Sequence, residues 1–134
     1  MCLYTQMKEP GVAGYDITVY KVLEIRRNRL YAPIHAGYKY QLNKLKKARR
    51  FDRTEPLGES YLIVKYGFHT YGDRKTAETF ARNMKTTHGN EYCAVECVIP
   101  KGTRYYKAFG HGGEFMEYCS EQIIANTIKY KTQD

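Results

Sequence analysis

The stretch SYLIVKYGFHTYGDRKTAETFARNMKTTHGNEYCAVECVIP, residues 60–100, decides the fold class. At its centre Asp73 is a good N-cap, Ala77, Phe80, Ala81 and Met84 fall on one apolar stripe at helical spacing, and Gly89 supplies a stop after His88. These signals predict one helix over about 73–88. On both sides the period changes. Residues 60–66 and 91–99 are rich in β-branched and aromatic residues, which predicts a strand before the helix and another after it. Between the first strand and the helix lies the tract Gly67-Phe68-His69-Thr70-Tyr71-Gly72.

Working outward, ITVYKVLEI at 17–25 is almost continuously apolar and β-branched, as suits a core strand covered on both faces. Arg26 to Arg29 reads as a turn into a short strand at 30–32 that Pro33 stops. Residues 1–16, with Pro10, Gly11 and Gly14, read as an irregular lead-in, and 53–60, with Pro56 and Gly58, as a surface connection. The segment 38–51 reads in two ways. Tyr38, Leu42, Leu45 and Ala48 approach helical spacing, while Tyr38, Tyr40 and Leu42 alternate, so a strand to about Leu42 is expected before a short basic helix or a loop. Residues 100–103 form a turn, which makes 104–109 the hairpin partner of 91–99; 110–113 is a loop, and 114–131 holds one or two closing strands. The expectation is an α+β class: a single domain over 1–134, mostly antiparallel twisted sheet with one clear helix.

Composition narrows the class further. With 43% hydrophobic and 27% charged residues, the chain can bury a core unaided by metal or disulfides. No apolar run approaches the roughly 20 residues of a membrane helix, and the start MCLYTQMKEP lacks signal-peptide blocks. A cytoplasmic protein with no membrane partner is expected. Cys93 and Cys97 share a face of one predicted strand but sit roughly 13 Å apart, beyond disulfide reach and awkward for one zinc ion. They read as reduced core thiols, so no metal is expected and no motif calls for a cofactor. Cys2 becomes an N-terminal nucleophile only if the initiator methionine is removed.

The net charge of +8 is local. Arg26, Arg27, Arg29, Lys39, Lys44, Lys46, Lys47, Arg49, Arg50 and Arg53 face a single acid, Asp52, between positions 26 and 53, whereas the remainder carries one more acid than base. Such a concentration attracts polyanions, and Tyr38 and Tyr40 beside Lys39 add aromatic faces on which bases stack. Nucleic acid, a nucleotide or an acidic protein surface are the expected partners; the plain alternative is a solvated face that keeps the protein dispersed. His69, between Gly67 and Gly72 at the mouth of the helix, reads equally as an acid–base group or as a hydrogen-bonded lock for a turn. The loop Gly110-His111-Gly112-Gly113 lacks the lysine and serine or threonine of a Walker loop.

Two resemblances follow from these residues. The order Met1-Cys2-Leu3-Tyr4, Asp16-Ile17, Val22-Leu23, Gly67-Phe68-His69 and Ile99-Pro100-Lys101-Gly102-Thr103 with Tyr105-Tyr106 resembles small uncharacterised proteins of gut bacteria and their phages, which implies no activity. The pair Tyr20-Lys21, the tract Gly67 to Tyr71 entering a helix, and Glu117-Tyr118 before Gln122-Ile123 and Tyr130 are similar to the layout of ADP-ribosyltransferases. In that family a first motif offers His or Arg, a second Tyr or Ser, and a third a Glu that orients the ribose as it leaves nicotinamide. By position the resemblance implies catalytic roles for Lys21, His69 and one of Glu114, Glu117 or Glu121. Lys21 and His69 both depart from the family's pattern, and a lysine cannot copy the paired hydrogen bonds of an arginine.

Overall fold

The structure, a computed structural model, describes residues 3–26, 29–31, 43–51, 54–88, 91–109 and 116–125. The longest apolar run forms the longest strand, β3 (Ile17–Arg26), and it pairs antiparallel with β9 (Glu91–Ile99) from Ile17↔Ile99 to Ile25↔Glu91. Alternation then sorts the side chains. Val19, Leu23, Val95, Cys97 and Ile99 point to one side, where Ile123 and Ala125 join them in the main core. Val22 and Tyr20 point to the other, where they meet the helix α1 (Arg74–His88) through Ala77, Ala81, Phe80 and Met84. The predicted apolar stripe is therefore the buried face of the helix. Its cap also forms as read: Asp73 Oδ2 accepts both the Thr76 N–H and the Thr76 hydroxyl at 2.9 Å.

Around this pair the described residues form a nine-stranded sheet. Beyond β9 come β12 (Gln122–Ala125) and then β5 (Leu45–Lys47) at the edge. On the other side of β3 the hairpin strand β4 (Arg29–Tyr31) covers its C-terminal end, while β8 (Phe68–Tyr71) meets it at Tyr20↔Tyr71. From β8 the sheet continues through β11 (Met116–Ser120) and β10 (Arg104–Phe109) to β2 (Gly11–Val12). A second, three-stranded sheet places β7 (Tyr61–Val64) between β1 (Leu3–Thr5) and β6 (Thr54–Leu57). Leu3, Phe51, Val64, Tyr106 and Cys119 pack the two sheets together. Thr5 adds a polar tie, its buried hydroxyl donating to Lys107 O at 2.7 Å and accepting the Met7 N–H.

Mostly antiparallel α+β class is what the sequence implies and what the structure has. Four local readings need correction. Leu45–Lys47 is a strand, not a basic helix or loop, because pairing with β12 outweighs a short helical spacing signal. Residues 104–109 are not the hairpin partner of 91–99. The turn forms, with the Thr103 N–H bonded to Pro100 O, but both sides of β9 are taken by β3 and β12, so β10 pairs with β11. The surface connection 53–60 contains β6, which tolerates Pro56 because it is an edge strand. The lead-in 1–16 contains β1 and β2.

Gly67 marks the tightest approach. Its φ is +137°, and a Cβ there would lie 2.5 Å from Cys119 Sγ and 3.0 Å from Ser120 O. Gly67→Ala is expected to destabilise the protein by about 2 to 4 kcal/mol in urea unfolding. Gly14→Ala, which would meet no atom within 4 Å, is expected to stay within about 0.5 kcal/mol.

Candidate functional site

The sheet is split beside Tyr20, and several of the predicted residues gather there. Because β3 turns to pair with β4 beyond that point, it leaves β8. The Lys21 ammonium reaches over and donates to the His69 carbonyl oxygen at 2.9 Å. Burial pushes the Lys21 pKa below the usual lysine value, opposed by the Cys97 and Cys119 sulfurs. His69 stands opposite Cys119 in the β8–β11 ladder, with Nε2 3.8 Å from its Sγ. Burial first, and then the Lys21 charge, drive the imidazole pKa down to about 3. It is therefore neutral at physiological pH. The Cys119 thiol has no exposed surface and donates to Tyr66 O at 3.3 Å, so it ties the Gly67 turn to β11.

Glu117 is a diagonal neighbour of His69 on the same face, since it pairs with Tyr71 while Cys119 pairs with His69. Tyr71 is stacked on Phe80 at 4.9 Å, and burial, with the Glu117 charge adding to it, pushes its hydroxyl up to about 12. Glu121 lies elsewhere. Its carboxylate receives Arg104 Nε at 2.8 Å and Nη2 at 3.1 Å, a two-point pair whose hydrogen bonds hold the Glu121 pKa down. The Glu121 N–H also bonds Arg104 O, and its carbonyl accepts the Ala48 N–H, so this residue fastens the crossing from β11 to β12. Lys21, His69 and Glu117 are thus drawn toward the split, and Glu121 is held by Arg104. Glu114 lies outside the described residues.

Among the described residues the predicted cations fall at two places along the sheet rather than one. Arg26 and Arg29 pair at the tip of the β3–β4 hairpin. Leu45, by contrast, is level with Ile124, Val98 and Thr18, eight residues back along β3, or roughly 25 Å by strand rise. On and after the edge strand, Lys44, Lys47, Arg49 and Arg50 are exposed, and none makes an ion pair within 4 Å among the described residues. Lys46 faces the same side as buried Ile123, and burial lowers its pKa. Arg50 places its guanidinium 5.6 Å from the centre of the Tyr66 ring. Arg27, Tyr38, Lys39, Tyr40 and Arg53 lie outside the described residues. The Tyr66 contact escaped the sequence reading because sixteen positions separate it from Arg50 and no short-range pattern links them.

Cys93 and Cys97 are thiols whose pKa values burial raises to about 11 and about 12. Among the described residues no group of three or more His, Cys, Asp or Glu side chains is placed to hold a metal ion, and no helix is long and apolar enough to cross a membrane. The fold and site define a mostly antiparallel α+β protein with a split sheet and a basic edge. Compared with known proteins, the chain matches no family model, no curated protein and no solved structure.

Two measurements test the split. A histidine with a folded pKa near 3 and an unfolded one near 6.5 gives stability that is fully present above pH 6.5 and declines as pH falls toward 3. Between pH 6.5 and 5, before most carboxylates titrate, His69→Gln is expected to flatten this decline, which approaches about 1.4 kcal/mol per pH unit. Urea midpoints at the two pH values read it directly; an unchanged slope would mean the imidazole is charged in the fold. Second, Thr70 Oγ1 and Ser120 Oγ are buried with no hydrogen-bond partner among the described residues. Thr70→Val, which removes such a hydroxyl without changing shape, is expected to leave stability equal or raised by about 1 kcal/mol. A loss of that size instead would reveal a partner for the hydroxyl.

Proposed function

We propose that this protein is a binding module for a phosphate-bearing polyanion, which docks on the cations that run along and beyond the edge strand β5. One observation carries this reading: Lys44, Lys47, Arg49 and Arg50 are exposed within a span of seven residues with no carboxylate paired to them among the described residues. Lys44 and Lys47 flank the strand about 10 Å apart by strand rise, and among the described residues β5 stands at the edge of its sheet. Arg50 over Tyr66 adds one aromatic face beside this track. Lysines on an edge strand also discourage sheets from joining, so charge alone does not separate docking from solubility.

Salt dependence separates them. With about four phosphate contacts on a single strand, a four-fold rise in salt is expected to weaken binding on the order of 50-fold. Replacing Lys44, Lys47, Arg49 and Arg50 together by Gln is expected to abolish most of that slope, read by fluorescence anisotropy with a labelled oligonucleotide. Binding indifferent to salt, or a slope that survives the fourfold replacement, would remove the proposal. Capture of an acidic protein that survives nuclease treatment, with no oligonucleotide binding, would assign the same patch to a protein partner.

A second reading draws on the placement of Glu117 diagonal to His69: a transferase-like site that cleaves the nicotinamide–ribose bond. Glu117 would orient the ribose, and His69, neutral above about pH 3, would accept or donate a hydrogen bond rather than supply charge. Release of nicotinamide from its dinucleotide, lost in Glu117→Gln and retained in Glu121→Gln, would support it. No release by the unaltered protein would exclude it.

A further inference from the structure

One face of the β10–β11–β8 ladder carries two hydroxyls that the fold leaves unanswered. Thr70 is 2% exposed and Ser120 0%, and neither Thr70 Oγ1 nor Ser120 Oγ has a hydrogen-bond partner among the described residues. Register puts them together. Ser120 stands opposite Phe68 and Thr70 opposite Tyr118, so the two hydroxyl residues are diagonal neighbours on the same face. Each weakens the fold as it stands, and a guest that donates to or accepts from both would recover what is lost.

A tyrosine stands beside each of them on that face: Tyr105 is opposite Ser120, and Tyr118 is opposite Thr70. Both rings reach a glycine on a neighbouring strand or just beyond it. A Cβ at Gly72 would lie 3.2 Å from Tyr118 Cε2, and one at Gly11 would lie 3.5 Å from Tyr105 Cζ. Each ring therefore leans along the sheet over a position with no side chain. The two centroids are 6.1 Å apart at 43°, so the rings are tilted and not stacked on each other. The face runs from open to closed: Lys107, Phe109 and Gly72 are exposed, the two tyrosines are half-buried, and Thr70 and Ser120 are buried at its inner end. Aromatic walls with a few polar groups at the closed end are the make-up of a small-molecule site. Rings favour a flat guest, and the hydroxyls ask for hydrogen-bonding atoms on its rim. A purely apolar ring would leave both hydroxyls as they are, and a sugar, polar all round, asks for more partners than two.

We propose that this face binds a small planar heterocycle, which stacks on Tyr105 and Tyr118 and sets its polar edge on the hydroxyls of Thr70 and Ser120. The inference goes beyond the docking of a polyanion at β5 and does not depend on it. Isothermal titration calorimetry with adenine, lumichrome and toluene tests it. At least one of the two heterocycles binds about 10-fold or more tightly than toluene, which has a ring and no polar edge. Thr70→Val, whose urea midpoint holds or rises, weakens that binding about 5-fold, and so does Ser120→Ala. Tyr118→Leu weakens it about 10-fold, while Tyr118→Phe keeps it. Failure of both heterocycles to bind, toluene bound as tightly as either, or a heterocycle held by Thr70→Val and Ser120→Ala as well as by the unaltered protein overturns the proposal. Salt-dependent oligonucleotide docking, read with the fourfold replacement at Lys44, Lys47, Arg49 and Arg50, stands or falls separately.

Discussion

The structure depends on where β3 lets go of β8. A sheet of nine strands must twist, and twist accumulated over so many strands is relieved by curling or parting. Here the strands part beyond Tyr20↔Tyr71, and the Lys21 side chain reaches across to the His69 carbonyl. The other crossing between the halves, from β11 to β12, is fastened at Glu121 by its own backbone bonds and by Arg104. Gly67 is the counterpart of these ties. Only a residue without a side chain lets the chain pass against Cys119 on its way from the small sheet into β8.

This division explains how the charges are used. A charge inside the protein must be answered by a nearby partner, whereas a charge at the surface is answered by water. The Lys21 ammonium, which is buried, is answered by a carbonyl, and the half-exposed Arg104 is paired with a carboxylate; both hold parts of the sheet in place. Arg74, 3.7 Å from Glu96 and 5.1 Å from the Tyr20 ring centre, does the same between α1 and the sheet. Among the described residues Lys44, Lys47, Arg49 and Arg50 make no ion pair within 4 Å.

The parts of the fold legible in the sequence were those whose signal is local and long. The helix and its Asp73 cap, and the strands β3 and β9, follow from periodicity over nine or more residues. Of the short strands, β4, β7 and β12 were legible, whereas β1, β2, β5, β6 and β8 were not. Leu3–Thr5 and Gly11–Val12 exist because β7 and β10 offer them partners, and no pattern within so few residues reports that. The β9–β10 error has the same origin: a turn at 100–103 implies a hairpin only if the adjacent edge is free, which is a property of the whole sheet. At the site, the local charge of the 26–53 segment could be read, but its separation into a hairpin tip and an edge strand could not. That separation comes from the register of β5, β12, β9 and β3 taken together.

The same physical chemistry weighs the two functional readings. A catalytic group near neutral pH needs a proton affinity near neutral pH and access to substrate. Burial, then the Lys21 charge, hold the His69 imidazole down at about 3, burial pushes the Tyr71 hydroxyl up, and the Lys21 ammonium is engaged by the His69 carbonyl. His69 and Tyr71 are thereby kept from titrating near neutral pH, and Lys21 serves as a tie. Docking of a polyanion asks for the reverse: cations in water, unpaired and regularly spaced, beside rings with open faces. Among the described residues Lys44, Lys47, Arg49 and Arg50 are exposed and make no ion pair within 4 Å, and Arg50 lies over Tyr66, so the docking proposal asks for less rearrangement of this fold than the catalytic one.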